Sequence, residues 1–434
     1  MASDSSDPAA VLVGMAEFVV RSAVEDDGEV WILVETPTSV TACGGCGRRA
    51  ESKGRRRTKV RDLEAGGRPV VLVWDKRRWR CPDADCDVGT WTEQVDAIAP
   101  RAVLTERARY EVFRRVGQEA RSVAEVARAF GVAWGTAWTA FESLARPAVD
   151  DPTRIGGVKA LGIDETGFLA ATPTHPRIFA TGLVDVRRGL LCDVIEGRSA
   201  AELRRWLAAR PLGWLRDVEV VTIDPHEAYR LGLWPDLAHA TVVADPFHII
   251  RLANRALDDA RRRTQQELTG HRGRRGDPLY DIRKVLLTAA ERLTDTTRAR
   301  LDAALAAGDP RDEVLGCWLA KEHLREVYVV EDVAEATVLL DAVIAECASS
   351  EVKELRRLAG TLARWRTEIL SHHLTGDSNG PTEAMNLLIK NIKRAGRGFT
   401  NFEHYRLRLL AHCGLKWQTH RTASMRGRSP HLVA

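Results

Sequence analysis

Three short apolar runs each end on an aspartate: "VKALGID" on Asp164, "VEVVTID" on Asp224 and "ATVVAD" on Asp245. Their Val, Ile and Leu content suits buried strands, and a strand that ends in a carboxylate sets it at a sheet edge, where ligands bind. Between the first two, "RIFATGLVDVRRGLLCDVIEG" reads as two strands joined at "RRG", and "SAAELRRWLAAR" opens a helix with the capping box Ser199 to Glu202. Three strands followed by helix, strand, helix and strand predict a mixed α/β domain.

From Arg251 to about His372 the pattern changes. "RLANRALDDARRRTQQEL", "YDIRKVLLTAAERL", "TTRARLDAALAAG", "RDEVLGCWLAKEHLREVYVV" and "VAEATVLLDAVIAECA" all repeat apolar residues at three to four positions, which predicts an almost wholly helical segment. "HRGRRGD" reads as a loop within it.

A helix is predicted next, from "GPTEAMNLLIKNIKRAGRGF". Met385, Leu388, Ile389 and Ile392 form an apolar stripe, and Glu383, Asn386, Lys390, Lys393 and Arg397 share the opposite face, with Arg394 nearby. Pro381 suits the first turn. Asp164 on one strand, Asp224 on another and Glu383 on this helix are the oxygen ligands a two-magnesium phosphoryl-transfer site requires. Hard cations take oxygen donors, and two of them about 3.5–4 Å apart serve an in-line displacement. The cations farther along would hold a phosphodiester backbone beside it. Each acid alone is equally a turn residue or a partner of the helix dipole; their order, strand, strand, helix, is what joins them.

The N-terminal part carries different chemistry. "TACGGCGRRA" and, after an intervening stretch, "CPDADC" give CxxC and CxxxxC, so Cys43, Cys46, Cys81 and Cys86 are a candidate tetrahedral Zn²⁺ site; the first histidine is His175. "RPVVLVWDKRRWRC" between them reads as strand returning to the second pair, a zinc ribbon in outline. Cys192, Cys317, Cys347 and Cys413 stand alone, as small apolar core residues.

A supporting helix is expected over Arg101–Gly117, then a helix capped by Ser122 and Glu125 with Val123, Val126, Ala127 and Phe130 inward. A turn at Gly131 and Val132 leads into a second helix with Trp134, Ala137, Trp138 and Phe141, ending where Pro147 and "DDPTRIGG" break the pattern. This is helix-turn-helix geometry; Trp134 and Thr136, at the start of the second helix, would face DNA. The same hairpin also serves as a plain packing unit.

Charge supports a polyanionic partner. The net charge is only +4, but eight Lys or Arg lie between Arg48 and Arg61 against Glu51 alone, and ten follow from Lys390 onward against Glu403 alone. With 434 residues, 44% of them hydrophobic, the chain can bury two to four domains. Its opening apolar run has no basic segment before it, which predicts a cytoplasmic protein.

"SNGPTEAMNLLIKNIKRAGRGFTNFEHYRLRLL", "RDLEAGGRPVVLVWDKRRWRC" and "DPFH" carry a resemblance to the DDE transposases of bacterial insertion sequences, of the ISL-three type, over nearly the whole length. That resemblance implies an RNase H-like catalytic core interrupted by an all-α insertion, preceded by a zinc ribbon and a helix-turn-helix. It implies Asp164, Asp224 and Glu383 as the catalytic triad with Mg²⁺ (or Mn²⁺), and Zn²⁺ as a structural ion. Asp245 and His248 match an element that supports such cores; they read equally as a helix cap and a core histidine. The implied domains are a ribbon (1–100), a helix-turn-helix (101–150), the first part of the core (151–250), the helical insertion (251–375) and the remainder of the core with its basic tail (376–434). Double-stranded DNA at the terminal inverted repeats and target is the implied partner, bound by a homodimer or larger assembly. A DNA-binding regulator with an inert core and a nuclease acting on RNA–DNA hybrids are the rival readings.

Overall fold

The computed structural model describes residues 14–417. They form two compact units, one of residues 14–154 with 391–417 and one of residues 155–390.

In the first unit, β1 (Val19–Asp26), β2 (Glu29–Glu35), β3 (Glu51–Ala65), β4 (Arg68–Arg80) and β5 (Thr90–Thr92) make one sheet in the order β1-β2-β4-β3, with β5 against β4. β3 and β4 form a long antiparallel hairpin turned by Gly66 and Gly67, whose φ of 59° and 76° suit glycine. This hairpin explains the wide cysteine spacing: Glu51 pairs with Arg80 at its open end, so the pair before β3 and the pair after β4 return to one place. Phe18, Val34, Val60, Leu72 and Trp74 fill the core beneath.

Three helices follow: α1 (Glu106–Gly117), α2 (Val123–Ala129) and α3 (Trp134–Asp150). Both bonds of the Ser122–Glu125 capping box are present, Gly131 turns at φ 61°, and Phe130, Ala137 and Phe141 are buried. The expected break at Pro147 is corrected, since α3 continues through it to Asp150. Burial of Ala145 and Val149 on either side anchors the helix across the one missing N–H.

In the second unit, β6 (Ala160–Leu169), β7 (Ile178–Asp185), β8 (Leu190–Glu196), α4 (Ala200–Ala208), α5 (Leu212–Asp217), β9 (Val220–Ile223), α6 (Glu227–Leu233) and β10 (Thr241–Ala244) follow in chain order. The sheet order is β10-β9-β6-β7-β8, with β6, β7 and β8 antiparallel and β9 and β10 parallel to β6. Then come α7 (Pro246–Thr269), α8 (Pro278–Asp281), α9 (Asp295–Gly308), α10 (Glu313–Glu326), α11 (Val333–Ser349), α12 (Lys353–Arg364) and α13 (Arg366–Thr375). Helix α14 covers Gly380–Ala395, its last residues belonging to the first unit, as does α15 (Phe402–Leu409).

One expectation fails in the helical segment: "YDIRKVLLTAAERL" is helical only to Asp281, then turns. The buried Lys321 ammonium donates to Leu286 O at 2.8 Å and Thr288 O at 3.0 Å, taking carbonyls that a continuous helix would have used itself. Leu161, Ile223 and Ala244 of the strands share one core with Leu257, Leu324, Leu340 and Leu362 of the helices. No helix among the described residues is long and apolar enough to cross a membrane.

Candidate active site

The parallel register pairs Ile163 of β6 with Ile223 of β9, so Asp164 and Asp224 lie at one level on neighbouring strands; the first strand does not end at Asp164 as expected, because its antiparallel pairing with β7 carries it on to Leu169. Asp245 follows β10 in the same way and caps α7, accepting from His248 N at 3.1 Å. Gly162 admits the start of α14 to this edge. A β-carbon there would lie 2.0 Å from Thr382 Oγ1 and 2.8 Å from Val186 Cγ2. Alternate strand residues share a face, so the helix lies where Asp164 projects.

Two asparagines then bind helix to sheet. Asn379, fully buried just before α14, donates its backbone N–H to Asp245 Oδ1 at 3.1 Å and its amide to Asp224 Oδ1 at 3.4 Å, while its oxygen accepts from Thr222 Oγ1 at 3.0 Å. Asn386 donates to Asp164 Oδ2 at 2.5 Å. Sequence periodicity had put Asn386 on the cationic face. It is instead buried with Met385 and Ile389, whereas Leu388, expected in the apolar stripe, is 42% exposed. A polar residue that satisfies a buried carboxylate is worth more inside than a leucine that has no pocket.

His248 sits among the acids. Its Nε2 is 2.8 Å from Asp224 Oδ2, and its Nδ1 is 2.9 Å from Asp245 Oδ2 and 3.8 Å from Glu383 Oε1. Burial opposes its charge, but the bonds to Asp224 and Asp245 outweigh it and raise its pKa to about 9. Burial and the neighbouring charge of Asp224 push Asp164 up to about 7, even though Asp164 Oδ1 accepts from Glu165 N at 2.7 Å. Burial and the charge of Asp245 likewise raise Glu383. Asp224, Asp245 and His248 present ligand atoms within 4.8 Å of one another, a cluster that does not include Asp164 or Glu383; Asp245 caps α7 and His248 is buried, as the reading of a helix cap and a core histidine expected.

Burial and neighbouring charge raise Asp164 and Glu383, and an all-oxygen set of these two with Asp224 fits a hard divalent cation in kind. Sequence reasoning assigned no role to Asn379 or Gly162; the "NGP" before a helix and a glycine within a strand were their only signals.

In the first unit the four cysteines converge, with Sγ atoms within 4.8 Å of one another, 3.7 Å for Cys43–Cys86 and 3.4 Å for Cys46–Cys81. Four thiolates about 2.3 Å from one zinc ion lie roughly 3.8 Å apart, so the set fits a structural Zn²⁺. The backbone N–H groups of Cys46 and Gly45 draw the Cys43 thiol down to about 7, whereas burial pushes Cys81 up to about 12 and Cys86 is also raised, so the spacing of the four sulfurs is what fits zinc.

Trp134 is 49% exposed at the start of α3 and Thr136 is half-buried. Lys390 and Arg394 are exposed and Lys393 is half-buried. The helix does not reach Arg397, as its periodicity had suggested: α14 ends at Ala395, and Arg397 stands exposed at φ 53°. In the other basic block, Arg48 pairs with Asp83, Arg55 with Glu35 and Arg61 with Glu29, leaving Arg49, Lys53, Arg56 and Arg57 exposed.

Three family models match this chain. One described as "Transposase" covers residues 161–409, the "zinc-finger of transposase IS204/IS1001/IS1096/IS1165" covers 39–86, and the "Helix-turn-helix domain of transposase family ISL3" covers 93–145. Relatives from two strains of Mycobacterium tuberculosis, both named "Transposase for insertion sequence element IS1557", are 26% identical over 392 residues, 82% of this chain and 82% of each relative.

Proposed function

Because the chain belongs to the ISL3 family of insertion-sequence transposases, we propose that Asp164, Asp224 and Glu383 are its catalytic triad. The protein is a DNA-binding enzyme of transposition. In our reading it holds the terminal inverted repeats of its element, hydrolyses a phosphodiester at each end and directs the freed 3′-hydroxyl against target DNA. Pairing two ends calls for at least two copies on DNA.

What supports this reading is that Asp164 and Asp224 lie at one level on adjacent strands and that α14 sets Glu383 Oε1 3.8 Å from Nδ1 of His248, whose other ring nitrogen bonds Asp224. Three antiparallel strands followed by two parallel ones, in the order β8-β7-β6-β9-β10, support an RNase H-like core, with the helices of 251–375 as its insertion. Magnesium or manganese held by the three carboxylates would activate the attacking oxygen and stabilise the leaving one. Asn386 bonds the Asp164 carboxylate, Asn379 ties Asp224 to Asp245, and His248 bonds both Asp224 and Asp245 and favours the ionised form of Asp245. Trp134, Thr136, Lys390, Lys393, Arg394 and Arg397 would contact DNA.

Incubating the protein and Mg²⁺ with a labelled duplex taken from the ends of its element tests this. Nicking lost in Asp164→Ala, with duplex binding kept, is the expected result. Binding with no nicking by the unaltered protein would make it a regulator with an inert core.

A further inference from the structure

A cavity of about 310 Å³ in the first unit is lined by the helix-turn-helix and by residues 395–408, near the lower end of small-ligand sites at roughly 300 Å³. Among the described residues no acidic one lines it, whereas Arg128, Arg397 and Arg408 do. Arg408 is the unusual one. It is 2% exposed; one of its amino groups donates to the carbonyls of Ala120 and Arg121 at 3.4 and 3.0 Å, and its Nε has no acceptor. Burial lowers its pKa to about 10 with no carboxylate to oppose it. A buried guanidinium without a counter-charge is costly unless an anion arrives.

Its lining is also aromatic. Trp134 and Trp138 stack with centroids 5.6 Å apart and planes 4° from parallel, and His404 lies 4.1 Å from Trp138. Trp138 is fixed by donating to Glu142 at 3.0 Å, while Trp134 is half exposed. Cationic and flat aromatic lining residues match the two halves of a nucleotide, and stacking on an aromatic side chain requires a base freed from the duplex. Glu125 on α2 acts on Arg397 by charge, so Arg408 is the firmer phosphate contact.

We propose that this cavity binds one unpaired nucleotide of a DNA strand, its phosphate on Arg408 and Arg397 and its base against Trp134. The proposal rests on the DNA-binding reading above and adds to it a preference for DNA that carries an unpaired end or flank.

Binding of the full chain is measured by fluorescence anisotropy with three probes sharing one duplex: blunt, with a five-nucleotide single-stranded extension, and with that extension abasic. The extension is expected to tighten binding by about tenfold, the order of one base stack, and the abasic extension to lose most of that gain. Trp134→Ala and Arg408→Gln should each remove the gain. The abasic arm uses the unaltered protein, so it decides the matter even if Arg408→Gln does not fold. An extension that adds nothing, or adds as much when abasic, overturns the proposal while blunt-duplex binding stands; loss of all duplex binding in the unaltered protein would instead sink the functional reading. A free deoxynucleoside monophosphate should not displace the tailed probe at micromolar concentration; displacement would give the cavity to a free nucleotide.

Discussion

Asp164 is held at a cost, because it is buried beside a second carboxylate, and removing its charge removes that cost. Asp164→Asn should therefore abolish DNA cleavage, and the metal-free unaltered protein should gain about 1–2 kcal/mol as pH falls from about 8 to 6, a gain that Asp164→Asn lacks. Equal or lower stability at the lower pH, by calorimetry, would mean that Asp164 bears no such cost. Gly162 makes the opposite case. A methyl at this position meets Thr382 Oγ1 at 2.0 Å, so Gly162→Ala must push α14 off β6. It should destabilise by about 1–3 kcal/mol and cost cleavage beyond what stability explains, since Glu383 rides on that helix; a variant of full activity would show that the helix start yields freely. The acids were legible in the sequence because each ends an apolar run or opens a helix. Asn379 and Asn386 were not. Nothing in a one-dimensional periodicity separates an asparagine facing water from one facing a buried aspartate.

At the scale of elements, local signals did well where local bonds decide. The capping boxes at Ser122 and Ser199, the turn at Gly131 and the strand pair β7–β8 all stand as the sequence suggested. Ends set by tertiary contact were misjudged. Pro147 is carried inside α3, while α14 stops at Ala395, where a β-carbon on Gly396 would meet the Phe399 ring at 2.5 Å. The β3–β4 hairpin depends on both kinds of signal. Its strands alternate as a sheet should, but its open end holds four thiols with no disulfide among them. Zinc binding is folding free energy for such a site. Chelation, or Cys43→Ser with Cys81→Ser, should loosen this end of the hairpin, read as faster amide exchange over Glu51–Arg55 and Lys76–Arg80. Unchanged exchange after verified zinc removal would argue that hydrogen bonds alone close the ribbon.

For the molecule as a whole, the question is whether the helices of residues 251–375 are an appendage or part of what keeps the acids in place. Within the second unit the packing answers it. Leu161 on β6 and Ile223 on β9, which precede Asp164 and Asp224, lie in the same buried cluster as Leu257 on α7 and Leu340 on α11. Helix α7 begins at Asp245 and carries His248, so the element that opens the helical segment also places the imidazolium between Asp224 and Asp245. Arg263, farther along α7, bonds Glu313 at 2.9 Å and Glu354 at 3.0 Å, locking α10 and α12 to it. A cavity opened at Leu340 is therefore felt at the sheet. Leu340→Ala should cost about 2–5 kcal/mol and lower the same cooperative transition that Leu161→Ala lowers. If the helices formed an independent domain, Leu340→Ala would instead split that transition in two, and amide protection in β6 and β9 would survive the first step.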